Sequence, residues 1–117
     1  YTLIPDFGKM GYEMLAFTFA KTKTYKQEDA EKMLKNVKEW AAKRPNIVLA
    51  SDGEGLGKDT MLVSFHRNYS EYASFMRGFA VDWAEYVTDF QSFIMTLKNG
   101  KAIKPFDLKY LSDDVQV

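Results

Sequence analysis

The 117 residues suffice for one domain with one core and are too few for two. With 46% hydrophobic and 15% aromatic residues the chain can bury a core, and its 16 basic and 16 acidic residues cancel, so it lacks the positive footprint of a surface that binds nucleic acid by itself. The lack of cysteine excludes disulfides and thiol chemistry, and no apolar run reaches the roughly 18 residues that suggest a membrane span.

The opening YTLIPDFGKMG contains Pro5 and Gly8, which argue against a regular element, although Tyr1 to Ile4 fit a short edge strand. Tyr12 to Thr22 alternates with period two and predicts a strand. Leu15, Phe17 and Phe19 fall on one face, and Met14, Ala16, Thr18 and Ala20 on the other. The first face is bulky enough to pack beneath helices. The second is small and mildly apolar, suited either to partial wetting or to cover by a partner subunit.

Thr24 to Gln27 has the T-x-x-Q spacing of a capping box. Ala30, Met33, Leu34, Val37, Trp40 and Ala41 then recur at steps of three and four, one apolar stripe on a helix expected from about Lys26 to Lys43. Pro45 enforces the stop. Met33 and Trp40 are core side chains by position.

Ile47 to His66 is the stretch around which the rest is arranged. A short apolar run, Asn46 to Ser51, is followed by the glycine-rich DGEGLGK and then by a second run, Thr60 to His66. Two strands joined by a loop holding Gly53, Gly55 and Gly57 make a hairpin. Glycines free a loop backbone from side-chain sterics, so its N–H groups can point at a small ligand; the plainer reading is a loose turn. His66 is the sole histidine, at a strand end, and a lone histidine builds no metal site without carboxylates placed to help it.

Asn68 and Glu71 repeat the capping logic ahead of a second helix, expected from about Tyr69 to Tyr86. Tyr72, Met76, Phe79, Trp83 and Tyr86 form its aromatic, core-facing stripe, and Gly78 inside it invites a close helix–sheet or helix–helix approach. Phe90 to Leu97 alternates again as a fourth strand. Asn99-Gly100 is a hairpin-turn dipeptide, and Ala102 to Leu111 reads as a weak fifth strand or an extended tail. The order is therefore β-α-β-β-α-β with a short extra C-terminal strand. This is a ferredoxin-like α+β domain spanning residues 1–117, with a four-stranded antiparallel sheet and two helices on one face.

The segment YTLIPDFGKMGYEMLAFTFAKTK resembles the start of the effector-binding domain of the Lrp/AsnC family of transcription regulators. Tyr1, Asp6, Gly11 and Tyr12 stand where that family has a tyrosine-led strand, an aspartate and a leucine-glycine-tyrosine, with Met10 in place of the leucine. Gly57, Lys58 and Asp59 before TMLVSF match its glycine and aspartate at the end of the hairpin loop, and RNYSEYASFM resembles its next helix. The likeness covers roughly residues 1 to 97. The first helix here is longer by a turn or more, and the hairpin carries extra glycines.

The resemblance implies a dimeric α+β barrel joined through the sheets, a homodimer that assembles further in some members, and a small-molecule effector, typically an amino acid. It also implies a DNA-binding helix-turn-helix ahead of Tyr1, so that DNA is contacted only through that missing part. The start at Tyr1 rather than Met reads as a piece of a longer protein or a processed product. With neither a span nor a signal peptide, the expected compartment is the cytoplasm. The expected ligand-binding residues are Asp52, Gly53, Gly57, Lys58 and Asp59. Backbone N–H groups near Gly53 and Gly57 would take a carboxylate, and Asp59 or Asp52 an ammonium; Asp59 equally reads as a cap on the turn before its strand. No cofactor, metal or catalytic residue is expected. Two other readings stand beside this one: a barrel enzyme of the oxygenase or haem-handling type, using His66 or Tyr72 near Trp83 or Trp40, and a stand-alone regulatory domain.

Overall fold

Residues 11–23 and 27–97 are described by a computed structural model. They form β1 (Met14–Thr22), α1 (Gln27–Ala42), β2 (Ile47–Gly55), β3 (Lys58–His66), α2 (Tyr69–Trp83) and β4 (Val87–Thr96). The strands make one antiparallel sheet in the order β2-β3-β1-β4, the ferredoxin-like arrangement expected from the sequence. The Tyr1 to Ile4 strand, the Thr24 capping box, the Asn99-Gly100 turn and the fifth strand lie outside the described residues.

β1 is the centre of the sheet, and its faces are inverted relative to expectation. Ala16, Thr18 and Ala20 are buried and lie beneath the helices. Ala20 joins Leu62, Phe79 and Trp83 in the central cluster, while Thr18 Oγ1 lies 3.0 Å from Ser92 Oγ and 3.9 Å from Met76 Sδ of α2. Leu15, Phe17 and Phe19 therefore take the opposite face, in register with Phe65, Val63 and Met61 of β3. The helices bring Phe75, Phe79, Trp83 and Trp40 to the interlayer and supply its bulk, so the sheet contributes small side chains below them.

α2 begins as its sequence specifies. Asn68 Oδ1 accepts a hydrogen bond from the Glu71 N–H at 2.8 Å, a cap worth about 1 kcal/mol. Its buried stripe is Tyr72, Phe79 and Trp83, each large aromatic contributing about 1.5–3 kcal/mol on burial. The helix ends at Trp83 rather than Tyr86, because Tyr86 N–H donates to Trp83 C=O at 2.9 Å and turns the chain directly into β4. Gly78 faces outward, and a Cβ built there meets nothing within 4 Å. The close approach expected of it does not exist.

α1 packs through Trp40, whose ring lies 5.5 Å from Trp83 at 84° and 6.0 Å from Phe79 at 65°, edge-to-face geometries that suit the ring quadrupoles. Trp40 Nε1–H donates to Asp82 Oδ2 at 3.0 Å, and Arg44 stacks 4.3 Å over the same indole while reaching Asp82 at 3.4 Å. These contacts tie the C-terminal ends of the two helices together. Further towards its N-terminus α1 is more open, with Leu34 48% exposed. Among the described residues no helix is long and apolar enough to cross a membrane.

Candidate functional site

The glycine-rich stretch is not a loose loop. β2 runs on to Gly55 and β3 starts at Lys58, leaving the two-residue turn Leu56-Gly57. Both turn residues have positive φ, 55° and 70°, the mirror-image geometry whose twist matches paired strands. Gly57 meets that demand without cost, whereas Leu56 carries a Cβ in a conformation that costs an L-residue roughly 1–2 kcal/mol. Its side chain is 77% exposed. The β2–β3 ladder slips twice, between Ile47 and Leu49 and between Asp52 and Gly55, the second slip leaving Gly53 and Glu54 out of register beside the turn.

The five expected ligand residues lie along this hairpin with different commitments. Asp59 is held. Its Oδ2 accepts from Thr22 Oγ1 at 2.8 Å, its Oδ1 from the Thr22 N–H at 3.1 Å and from Thr60 Oγ1 at 3.2 Å, and Lys21 Nζ lies 3.8 Å away. Burial pushes its carboxyl pKa upward, but the Thr22 and Thr60 hydrogen bonds and the Lys21 charge together outweigh that and leave it below the ordinary value. Lys58 Nζ pairs with Asp89 at 3.0 Å, its side chain only 10% exposed. Gly57 makes the turn. Asp52 and Gly53 are exposed, and the Asp52 carboxylate has no hydrogen-bond or ion-pair partner among the described residues.

A cavity of about 290 Å³ opens between the helices and the sheet, beside the hairpin. Met33, Val37 and Trp40 of α1 form one wall and Phe79 and Trp83 of α2 another. Leu62 and Ala20 form the floor, and Ala50 and Asp52 of β2 the open side. Thr22 and Thr60, the residues that hold Asp59, also line it. Among the described residues Asp52 is the one charged residue in this lining. Trp83 Nε1 is buried with no hydrogen-bond partner, an orphan donor of a kind that native interiors mostly avoid.

His66 sits at the other end of α2. Its Nε2 is 2.7 Å from Ser64 Oγ, and the ring packs against Tyr72 and Phe75. Burial lowers its pKa, partly offset by the Glu71 charge. Ser64 is 0% and His66 1% exposed, so the pair is a buried hydrogen bond, although His66 also lines a second cavity with Tyr12, Arg44 and Phe75. Neither His66 nor Tyr72 lines the cavity walled by Trp40 and Trp83. Among the described residues no cluster of metal-ligating side chains occurs. Periodicity flagged the tryptophans as core but not as cavity walls, and it gave no sign of Thr22, whose partner is 37 residues away.

No protein-family model matches the chain, and no curated protein matches it. Solved structures do. An AsnC family transcriptional regulator from Agrobacterium tumefaciens superposes with a TM-score of 0.66 at 18% identity, over 95% of this chain and 67% of that one. A transcriptional regulator from Neisseria meningitidis in complex with L-methionine gives 0.64 at 20% identity, again over 95% of this chain and 67% of that one. The hydroxynitrile lyase of Passiflora edulis follows at 0.51 and 10% identity, over 76% of this chain and 96% of the lyase. At these identities the likeness is one of fold, shared by regulators and, less closely, by an enzyme.

Proposed function

We propose that this chain is the effector-binding and self-association module of an Lrp/AsnC-type transcription regulator, acting in the cytoplasm and touching DNA only through a separate part of its protein. The observation that carries the reading is the sheet face turned away from the helices. Phe17 stands at its centre, in register with Val63 on one side and Phe93 on the other, and Phe93 is 66% exposed. A face built of Leu15, Phe17, Phe19, Phe93 and Met95 matches a second copy of itself better than it matches water. The fold shared with AsnC-type regulators and the sequence resemblance support the same reading.

The effector would meet the hairpin at Asp52, Gly53, Gly57, Lys58 and Asp59. Of these, Asp52 and the exposed glycine backbone have free capacity, while Lys58 and Asp59 are already paired and would act by shaping the hairpin. L-methionine is the first amino acid to try, because the Neisseria structure holds it. An effector shifts assembly only by its differential affinity for the two arrangements.

Sedimentation of the wild-type chain and of Phe93→Asp tests the core of the proposal. The expected result is a dimer or larger assembly for the first and a folded monomer for the second. A wild-type chain that stays monomeric at tens of micromolar overturns it.

A further inference from the structure

We infer that the cavity between α1, α2 and the sheet is a binding site for a small organic cation with an apolar body, such as an aryl-alkyl primary amine. This goes beyond the regulator reading and stands without it, since the site lies under the helices within one protomer.

Three features carry the inference. The volume, about 290 Å³, is close to the lower end of the size range of small-molecule pockets, and the walls are apolar and aromatic, as such pockets require. Among the described residues the lining holds one charge, the Asp52 carboxylate, which has no partner among them. It stands at the open side of the cavity, on β2, with Thr22 and Thr60 also in the lining. An ammonium placed there gains an ion pair, and the aromatic walls take up the apolar body.

The same inventory says what the cavity rejects. Among the described residues no lysine or arginine lines it. A carboxylate carried inside would find the Trp83 N–H and threonine hydroxyls as donors, but it would meet the like charge of Asp52 and, among the described residues, no cation to pair with. Free amino acids are therefore poor occupants of the cavity, and because Asp52 belongs both to this lining and to the hairpin residues proposed for the effector, the two ligands would compete for it. Trp83, with its buried unpaired N–H, and Trp40 are the only two tryptophans of the chain and both wall the cavity, so intrinsic emission reports occupancy directly.

The experiment is a fluorescence titration of the wild-type chain with phenethylamine, 3-phenylpropionate and L-phenylalanine. The expected result is a saturable change with the amine below about 10 mM and none with the other two. Asp52→Asn is expected to weaken the amine by about threefold to fivefold, the scale of one exposed ion pair lost. Ala50→Phe, which fills the open side from an exposed strand position, is expected to abolish the response while leaving the far-ultraviolet circular dichroism unchanged. Equal responses to amine and carboxylate, an unchanged affinity in Asp52→Asn, or a response that survives Ala50→Phe each overturn the assignment. If the Phe93→Asp monomer binds the amine as the wild type does, cavity and assembly are independent, as inferred; if it does not, the site is no property of one protomer and the inference fails.

Discussion

Replacing Asp59 with alanine removes a clamp, and the loss is calculable. The carboxylate accepts two hydrogen bonds from Thr22, at 2.8 Å from the hydroxyl and 3.1 Å from the backbone N–H, where β1 leaves the sheet. Hydrogen bonds to a charged group contribute about 1.5–3 kcal/mol each when well shielded. The Asp59 side chain is 35% exposed, so water replaces part of what is lost. Halving the sum for that reason gives roughly 2 kcal/mol for Asp59→Ala, and about half as much for Asp59→Asn, which keeps an acceptor. Urea unfolding followed by tryptophan emission should show the midpoint falling by about 1 M at unchanged slope. The pH dependence has a definite sign. Because the folded pKa lies below the unfolded one, the stabilisation is complete above about 3.9 and is lost as pH falls from there through the folded pKa. Wild type and Asp59→Ala should therefore converge in acid. A variant that unfolds at the wild-type urea concentration, or a gap that persists undiminished to low pH, refutes the clamp. It would return Asp59 to the role of a free ligand group.

Three further outcomes are expected. Gly78→Ala adds a methyl into open space on an exposed helix face and should stabilise by about 0.5–1 kcal/mol, read as a rise in Tm. Leu56→Asn at the hairpin turn relieves a left-handed leucine and should stabilise by up to about 1 kcal/mol in the same assay. His66, held neutral by burial, has a folded pKa below the unfolded value near 6.5, so its contribution is full above that pH and declines as pH falls, by at most about 1.4 kcal/mol per unit. The single histidine resonance gives the folded pKa directly, and a value at or above 6.5 would contradict the burial argument.

Much of this fold was legible because its periods are clean. The alternation from Met14 to Thr22 and the three-and-four spacing of Tyr72, Met76, Phe79 and Trp83 each admit one secondary structure, and Asn68 with Glu71 marked the start of α2 within a residue. Alternation divides a strand into two faces, however, without saying which one the helices choose. That choice depended on how many aromatic rings α1 and α2 deliver to the interlayer, a property of three elements together. The glycines misled in a different way. Three of them in seven residues look like a loop, but only Gly55 and Gly57 answer a backbone demand for positive φ, and the strands simply continue to the turn. At the site, exposure and pairing decided which residues are free. Lys58 with Asp89 and Asp59 with Thr22 are long-range contacts that no local pattern announces.

The position of β1 between β3 and β4 has a kinetic consequence. Only β2 and β3 are neighbours both in sequence and in the sheet; β1 waits for a partner that begins at Lys58 on one side and at Val87 on the other. The hairpin is thus the natural nucleus, and everything else closes over long loops whose entropy is lost before their contacts form. On a ribosome the first strand emerges with its phenylalanines and without either neighbour. Refolding should accordingly be slower than that of helical domains of this size, and changes within residues 47–66 should weigh more on the refolding rate than changes in β4.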